Sequence, residues 1–178
     1  MKNTLVINLF GGPGIGKSTT AALVFVKLKL AGVDSEYVPE FAKDCVWEKR
    51  HDTFNDQIYI FGKQQHRIAR LAGKVDVVVT DSPILLNVYY GKDNKPLVDL
   101  TLSEFAKYNN LNYRLIREKE YNPNGRNQTE AEAKAIDEYI KDVLDTYNIS
   151  YKTLPGNVCA ADNIINDILE FLGRTNND

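Results

Sequence analysis

Nine residues near the start of the chain, Gly11-Gly12-Pro13-Gly14-Ile15-Gly16-Lys17-Ser18-Thr19, have the types and spacing that hold a polyphosphate. From Gly11 to Ser18 they fit G-x-x-x-x-G-K-[ST], the Walker A pattern. Glycines at 11, 12, 14 and 16 permit backbone angles that side chains forbid, so successive N–H groups can turn inward around phosphate oxygens. Lys17 is then placed to reach the β- and γ-phosphates, and Ser18 to ligate Mg²⁺. A hydrophobic run, Leu5–Phe10, leads into the loop, and a helical run leaves it from Thr19 onward. A helix starting there adds partial positive charge at the phosphates. A chance glycine turn before a helix is the competing reading, and the strand–loop–helix context argues against it. ATP is the expected ligand, held by Gly12, Gly14, Ile15, Gly16, Lys17, Ser18 and Thr19.

The remaining candidates follow the strands, because an open parallel sheet binds ligands at its carboxyl ends. Asp81 ends the run Val75-Asp76-Val77-Val78-Val79-Thr80 and is the candidate second Mg²⁺ ligand, as a Walker B aspartate is. Its rival role is capping, since Asp81-Ser82-Pro83 suits a helix start. Glu40 directly follows the second strand and is placed to accept the proton of an attacking hydroxyl. Acids are also favoured at helix starts, which is its alternative reading. Glu36, inside that strand, is a weaker rival base. Arg126 sits beside Gly125 in a polar loop with Arg117 and Lys119, after Arg114. It is the candidate for charge over the equatorial oxygens of a transferring phosphoryl group. Arg117, ending the fourth strand, and Asn157, after the fifth, complete the expected ATP site.

A helical segment carries Phe54, Gln57, Tyr59, Phe61, Gln64, Arg67 and Arg70. Gln57 offers a donor and an acceptor to a base edge, Phe54 and Phe61 could stack on it, and Arg67 and Arg70 could meet acceptor phosphates. Taken alone, this segment reads more simply as an amphipathic helix with its apolar residues in a core.

The elements that must position these groups alternate between strand and helix, which predicts a parallel sheet with crossover helices. Strands are expected over residues 4–10, 35–38, 75–80, 112–117 and 150–154. Helices are expected over 17–31, 40–50, 53–71, from about 85, and over 102–108, 129–147 and 160–172, with a polar break at 91–96. Thr129 and Glu132 have capping-box spacing. Residues 118–128, centred on Pro123-Asn124-Gly125, are expected to form a mobile lid, and 173–178 a disordered tail behind a single domain over 1–172.

At 178 residues with 43% hydrophobic and 26% charged content, the chain suits one ordinary globular domain. A net charge of −2 gives no general reason to bind nucleic acid or anionic membrane. No apolar stretch approaches the ~20 residues of a membrane span, and no signal peptide is read. Cys45 and Cys159 lack metal-ligand spacing and are expected to be reduced and buried. His51 and His66 are expected at the surface.

Together these residues resemble the P-loop nucleoside and nucleotide kinases. Glu40-Phe41-Ala42-Lys43 and Tyr121-Asn122-Pro123-Asn124-Gly125-Arg126 are similar to patterns of the nicotinamide riboside kinase-like group, found as phage and bacterial ATP-binding proteins. Phe54, Gln57 and Tyr59 have the spacing of the Phe-x-x-Gln-x-Tyr segment with which deoxynucleoside kinases read a base. Asp81-Ser82-Pro83 departs from the Glu-Arg-Ser of the latter. The resemblance implies an α/β fold, a three-layer α/β/α P-loop NTPase with a five-stranded parallel sheet and a mobile lid loop. It implies an ATP- and Mg²⁺-dependent phosphotransferase acting on a nucleoside or nucleoside monophosphate, with Lys17, Glu40, Asp81 and Arg126 catalytic and Phe54, Gln57, Arg67 and Arg70 at the acceptor. A hydroxymethylated pyrimidine in phage DNA is the alternative acceptor, contacted through Lys43, Lys49, Arg50, Lys63, Arg67 and Arg70. A nucleotide-dependent switch is the alternative outside enzymes, although Lys92-Asp93-Asn94-Lys95 is a scrambled guanine motif. The expected location is the cytoplasm, the host's for a phage protein, with no membrane partner and a homodimer allowed.

Overall fold

The computed structural model describes residues 2–118 and 129–174. Five parallel strands form one sheet, β1 (Leu5–Phe10), β2 (Ser35–Val38), β3 (Val77–Thr80), β4 (Asn109–Ile116) and β5 (Lys152–Pro155), in the order β2-β3-β1-β4-β5. All six residues of β1 are buried, as a central strand covered on both faces requires. Leu5, Ile7 and Leu9 face helices α1 (Lys17–Leu30) and α7 (Cys159–Phe171). Val6 and Phe10 face the opposite layer of α3 (Gln57–Ala69), α4 (Asn87–Tyr90), α5 (Lys95–Phe105) and α6 (Glu130–Thr146). The short helix α2 (Phe41–Trp47) packs on α3 through Phe41, Cys45 and Ile60. The expected three-layer, five-stranded parallel architecture is therefore the one observed. Strand order reverses around β1, so its carboxyl end opens into a crevice between the ends of β3 and β4.

One polar residue interrupts the apolar β1. Asn8 faces the β4 side, where its amide donates to Asn110 Oδ1 at 2.9 Å and Asn112 Oδ1 at 3.0 Å. Asn112 in turn donates to Ser150 O on the approach to β5. These side-chain bonds explain why β4 starts at Asn109, before the residue 112 that its apolar content suggests.

The expected helix over residues 53–71 is broken. His51–Asn55 forms a 3-10 turn, and α3 starts only after Asp56, whose carboxylate accepts from Tyr59 N. An acid that caps a helix ends whatever precedes it. The polar break expected at 91–96 covers only residues 91–94, and α5 starts at Lys95. Asn94 accepts from Leu97 N, and Pro96 occupies the first turn, where its missing N–H costs nothing. Cys45 is buried as expected, but Cys159 is exposed at the start of α7. Among the described residues no helix is long and apolar enough to cross a membrane. The expected lid falls almost wholly on residues 119–128, outside the described residues.

Helix α6 has the predicted capping box: Thr129 Oγ1 accepts from Glu132 N, and Glu132 Oε2 accepts from Thr129 N at 2.6 Å. Thr129→Ala is expected to cost about 1 kcal/mol in chemical denaturation, while ATP affinity stays unchanged. A stability equal to that of the parent chain would show that α6 needs no cap.

Candidate active site

The loop after β1 is built almost entirely from backbone. Gly11, Gly14 and Gly16 have φ of 145°, 79° and 111°, a region open to glycine. Gly16 caps α1 without any side-chain bond, and no acid lies in the first turn. The N–H groups there remain for an anion. Ile15, a candidate ATP contact, has its side chain buried against Leu115 and Ala160, so only its backbone can face a ligand. Ser18 and Thr19 are exposed on the first turn of α1. Lys17 Nζ donates to Gly11 O at 2.6 Å and Gly12 O at 3.0 Å, folded back along the loop.

Three charged candidates converge on this loop. Glu40 caps α2 by position but makes no side-chain capping bond, so helix initiation does not explain it. Burial raises its carboxyl pKa, Lys17 opposes that, and the Asp81 carboxylate reinforces it. Burial lowers the Lys17 ammonium, while Glu40, Asp81 and Asp137 push it back up. Asp81 is 3% exposed, and its Oδ1 is buried without a hydrogen-bond partner. The Tyr37 hydroxyl, whose pKa is raised first by burial and then by Asp81, lies against the same carboxylate. An orphaned buried carboxylate oxygen beyond the loop that carries Ser18 fits a divalent cation. No group of three or more His, Cys, Asp or Glu among the described residues could hold a metal.

The acceptor candidates separate into two places. Gln57, at the start of α3, lines an open cleft of about 340 Å³ with Asn55, Asp56, Tyr90, Asp93 and Asn94. Its amide donates to Phe54 O at 2.7 Å, which fixes its orientation. Burial first, and then the Glu40 carboxylate, raise the phenol of Tyr90 on the wall of this cleft. Phe54 is partly buried against Phe41, Cys45 and Ile60, and Phe61 is in the core. Arg67 and Arg70 lie at the other end of α3, about 15–20 Å along the axis from Gln57. Arg67 donates to Asp44 Oδ2 at 2.5 Å and to Pro39 O at 3.2 Å, and Arg70 is the exposed C-cap.

The ATP candidates after β4 and β5 are both engaged. Arg117 donates through Nε and Nη2 to Asp137 Oδ2, at 3.1 and 2.9 Å, and through Nη2 to Pro13 O at 2.9 Å. Asn157 donates to Glu118 and accepts from Cys159 N. Arg114 pairs with Glu138, and Glu36 is an exposed partner of Lys29. Arg126 and Lys119 lie outside the described residues.

Asp137 is not singled out by the sequence, and Gln64 is named there on the α3 segment without a role of its own. Asp137 Oδ1 accepts from Gly12 N, tying α6 to the loop. Gln64, 2% exposed, accepts from Phe41 N at 2.9 Å and donates to Thr80 Oγ1 at 3.5 Å. It thereby joins the peptide after Glu40 to the strand end before Asp81. The available signal is a polar residue on the apolar stripe of each helix.

A Cβ at Gly12 would lie 2.6 Å from both Ala133 O and Asp137 Oδ1. Gly12→Ala is expected to destabilise the fold by about 1–3 kcal/mol in denaturant titration. Gly62→Ala, at an exposed position of α3 where its Cβ meets nothing within 4 Å, should stabilise the helix by about 0.5–1 kcal/mol. Because the folded state raises the Glu40 pKa, its ionisation opposes folding. Glu40→Gln should therefore be more stable than the parent at neutral pH. The gap should close as pH falls below the ordinary glutamate value of about 4.3, where both states of the parent are protonated. A gap that persists at low pH would place its origin outside that ionisation.

No curated protein matches the sequence. Among solved structures, a NadR protein in complex with NR aligns at a TM-score of 0.72 and 14% identity, covering 99% of this chain and 54% of that one. The chain thus spans about half the length of that protein. Deoxyadenosine kinase from M. mycoides, with the products dCMP and a flexible dCDP bound, aligns at 0.51 and 14% identity, covering 94% and 98%. The sequence matches the AAA domain family over residues 6–160, from β1 through the first turn of α7. With the strand order, the glycine loop and these likenesses in agreement, the chain belongs to the AAA domain family and has a P-loop nucleoside kinase-like fold.

Proposed function

We propose that the protein is an ATP- and Mg²⁺-dependent phosphotransferase acting on a hydroxyl or phosphate of a nucleoside or nucleoside monophosphate. The observation that carries this reading is the mutual field of Lys17, Glu40 and Asp81 around a bare-backbone anion loop. A base, a phosphate-binding cation and a metal-binding carboxylate are the groups phosphoryl transfer needs in one crevice. The likeness to structures holding NR and dCMP supports a nucleoside-like acceptor.

In this reading the loop N–H groups and Lys17 hold the β- and γ-phosphates. Ser18 and Asp81 hold Mg²⁺, which would neutralise charge on the phosphate oxygens. The acceptor lies in the cleft beside Gln57 and Tyr90, with its hydroxyl toward Glu40. Glu40 takes the hydroxyl proton, and its raised pKa makes it a stronger base than an exposed carboxylate. Among the described residues none of those lining the cleft is basic, and Arg67 and Arg70 lie at the far end of α3. This favours an uncharged nucleoside over its monophosphate.

The test is labelled ATP with a panel of nucleosides, nucleoside monophosphates and hydroxymethyluracil-containing DNA. A labelled nucleoside monophosphate is the expected product. Hydrolysis of ATP with no acceptor labelled would favour a nucleotide-dependent switch. Glu40→Gln should lower turnover by about 10²–10⁴-fold with ATP affinity nearly unchanged. Collapse of ATP binding in that variant would move Glu40 from proton transfer to the metal site.

A further inference from the structure

Helix α6 buries Ala133, Ile136, Ile140, Val143 and Leu144, and one carboxylate, Asp137, shares that stripe at 8% exposure. A buried acid needs partners, and those of Asp137 among the described residues are on the glycine loop and at Arg117. One oxygen accepts from Gly12 N, and the other accepts from both Nε and Nη2 of Arg117. The same Nη2 also reaches Pro13 O. The guanidinium therefore bridges α6 to the loop, and neither member of the pair is more than 11% exposed.

The arrangement is electrostatic as well as mechanical. Arg117 depresses the Lys17 ammonium, whereas Asp137 raises it. Two cations beside one half-buried loop would repel each other without a carboxylate between them. Gly12 is gripped from both sides, its N–H by Asp137 and its carbonyl by Lys17. No side chain can enter between the loop and α6 at this point.

We propose that Asp137 is a positioning residue for nucleotide binding: it fixes Gly12 and holds the Arg117 guanidinium against the loop, so that Arg117 and Lys17 together meet the phosphates. The inference rests on the phosphate-loop reading. It needs no acceptor and does not depend on Glu40.

The test is calorimetric titration of the full chain with Mg²⁺–ATP alone, which separates affinity from the fraction of folded sites. Asp137→Asn keeps an acceptor for Gly12 N but turns an amide toward Arg117. ATP affinity should fall about 10- to 150-fold, the range for a hydrogen bond to a charged group, with stoichiometry retained. In an Arg117→Met background the same change should cost less than about threefold, because the group it positions is gone. An Asp137→Asn affinity within about threefold of the parent overturns the proposal. So does an equal loss in both backgrounds, or a loss of stoichiometry alone, which is what a purely structural acid would give.

Should Asp137→Asn fail to fold, Arg117→Met/Asp137→Asn leaves no lone buried cation and should fold. Against it, Arg117→Met/Asp137→Leu removes the acceptor for Gly12 N and should bind ATP more weakly. Equal affinities of these two double variants would overturn the role at Gly12. If the parent chain itself binds no ATP, the phosphate-loop reading falls and this inference with it.

Discussion

Close approach of backbone to backbone around residues 11–16 is the constraint on which the rest of the site depends. On one side Gly12 lies against the carbonyl of Ala133 in α6. On the other, a Cβ at Gly156 would meet Ile15 O at 2.5 Å and Ile116 O at 2.8 Å. Gly156 N also donates to Ile116 O, so the turn after β5 is closed onto the end of β4. The loop is held between a helix and a turn, with no room for a Cβ at Gly12 or Gly156.

Burial sets the second theme. It pushes Lys17 toward its neutral form and Glu40 toward its protonated form, and each opposes the effect on the other. Asp81 adds a negative field that strengthens the charge on Lys17 and weakens that on Glu40. In the proposed reaction, the cation that meets phosphates and the carboxylate that accepts a proton are thus poised by the same three groups. Such opposed displacements are typical of sites that perform acid–base chemistry rather than of surface ion pairs.

The loop was legible because its pattern is local: nine consecutive residues carry the glycine turn and the helix start. Glu40 and Asp81 were legible through the strands before them, since position after a parallel strand implies the crevice. The arginines of α3 were less so, because sequence spacing does not show that Arg67 is drawn down to Asp44. The break at Asp56 and the start at Asn94 were missed for one reason: a capping side chain within a polar stretch reads as a loop. Asp137 and Gln64 illustrate the larger gap. Each occupies a core-facing position among Ile136 and Ile140, or Ile60 and Ile68, and only the partner supplied by a distant element shows what it does. Arg126 lies outside the described residues, so its place beside the phosphates is still an expectation.

The asparagines at the sheet centre have a consequence for how accurately the site is assembled. Asn8 lies opposite Asn112 in the β1–β4 register, and its amide also reaches Asn110. A slip of one residue would turn the β4 asparagines to the other face of the sheet. A slip of two would put Asn110 or Arg114 opposite Asn8 and remove one of the two amide bonds, while carrying Arg117 about 7 Å along the strand. In an all-apolar strand pair such a slip would keep much of its burial. The amide contacts make it unfavourable, so they act as a ruler that measures where β4 must stop relative to the glycine loop.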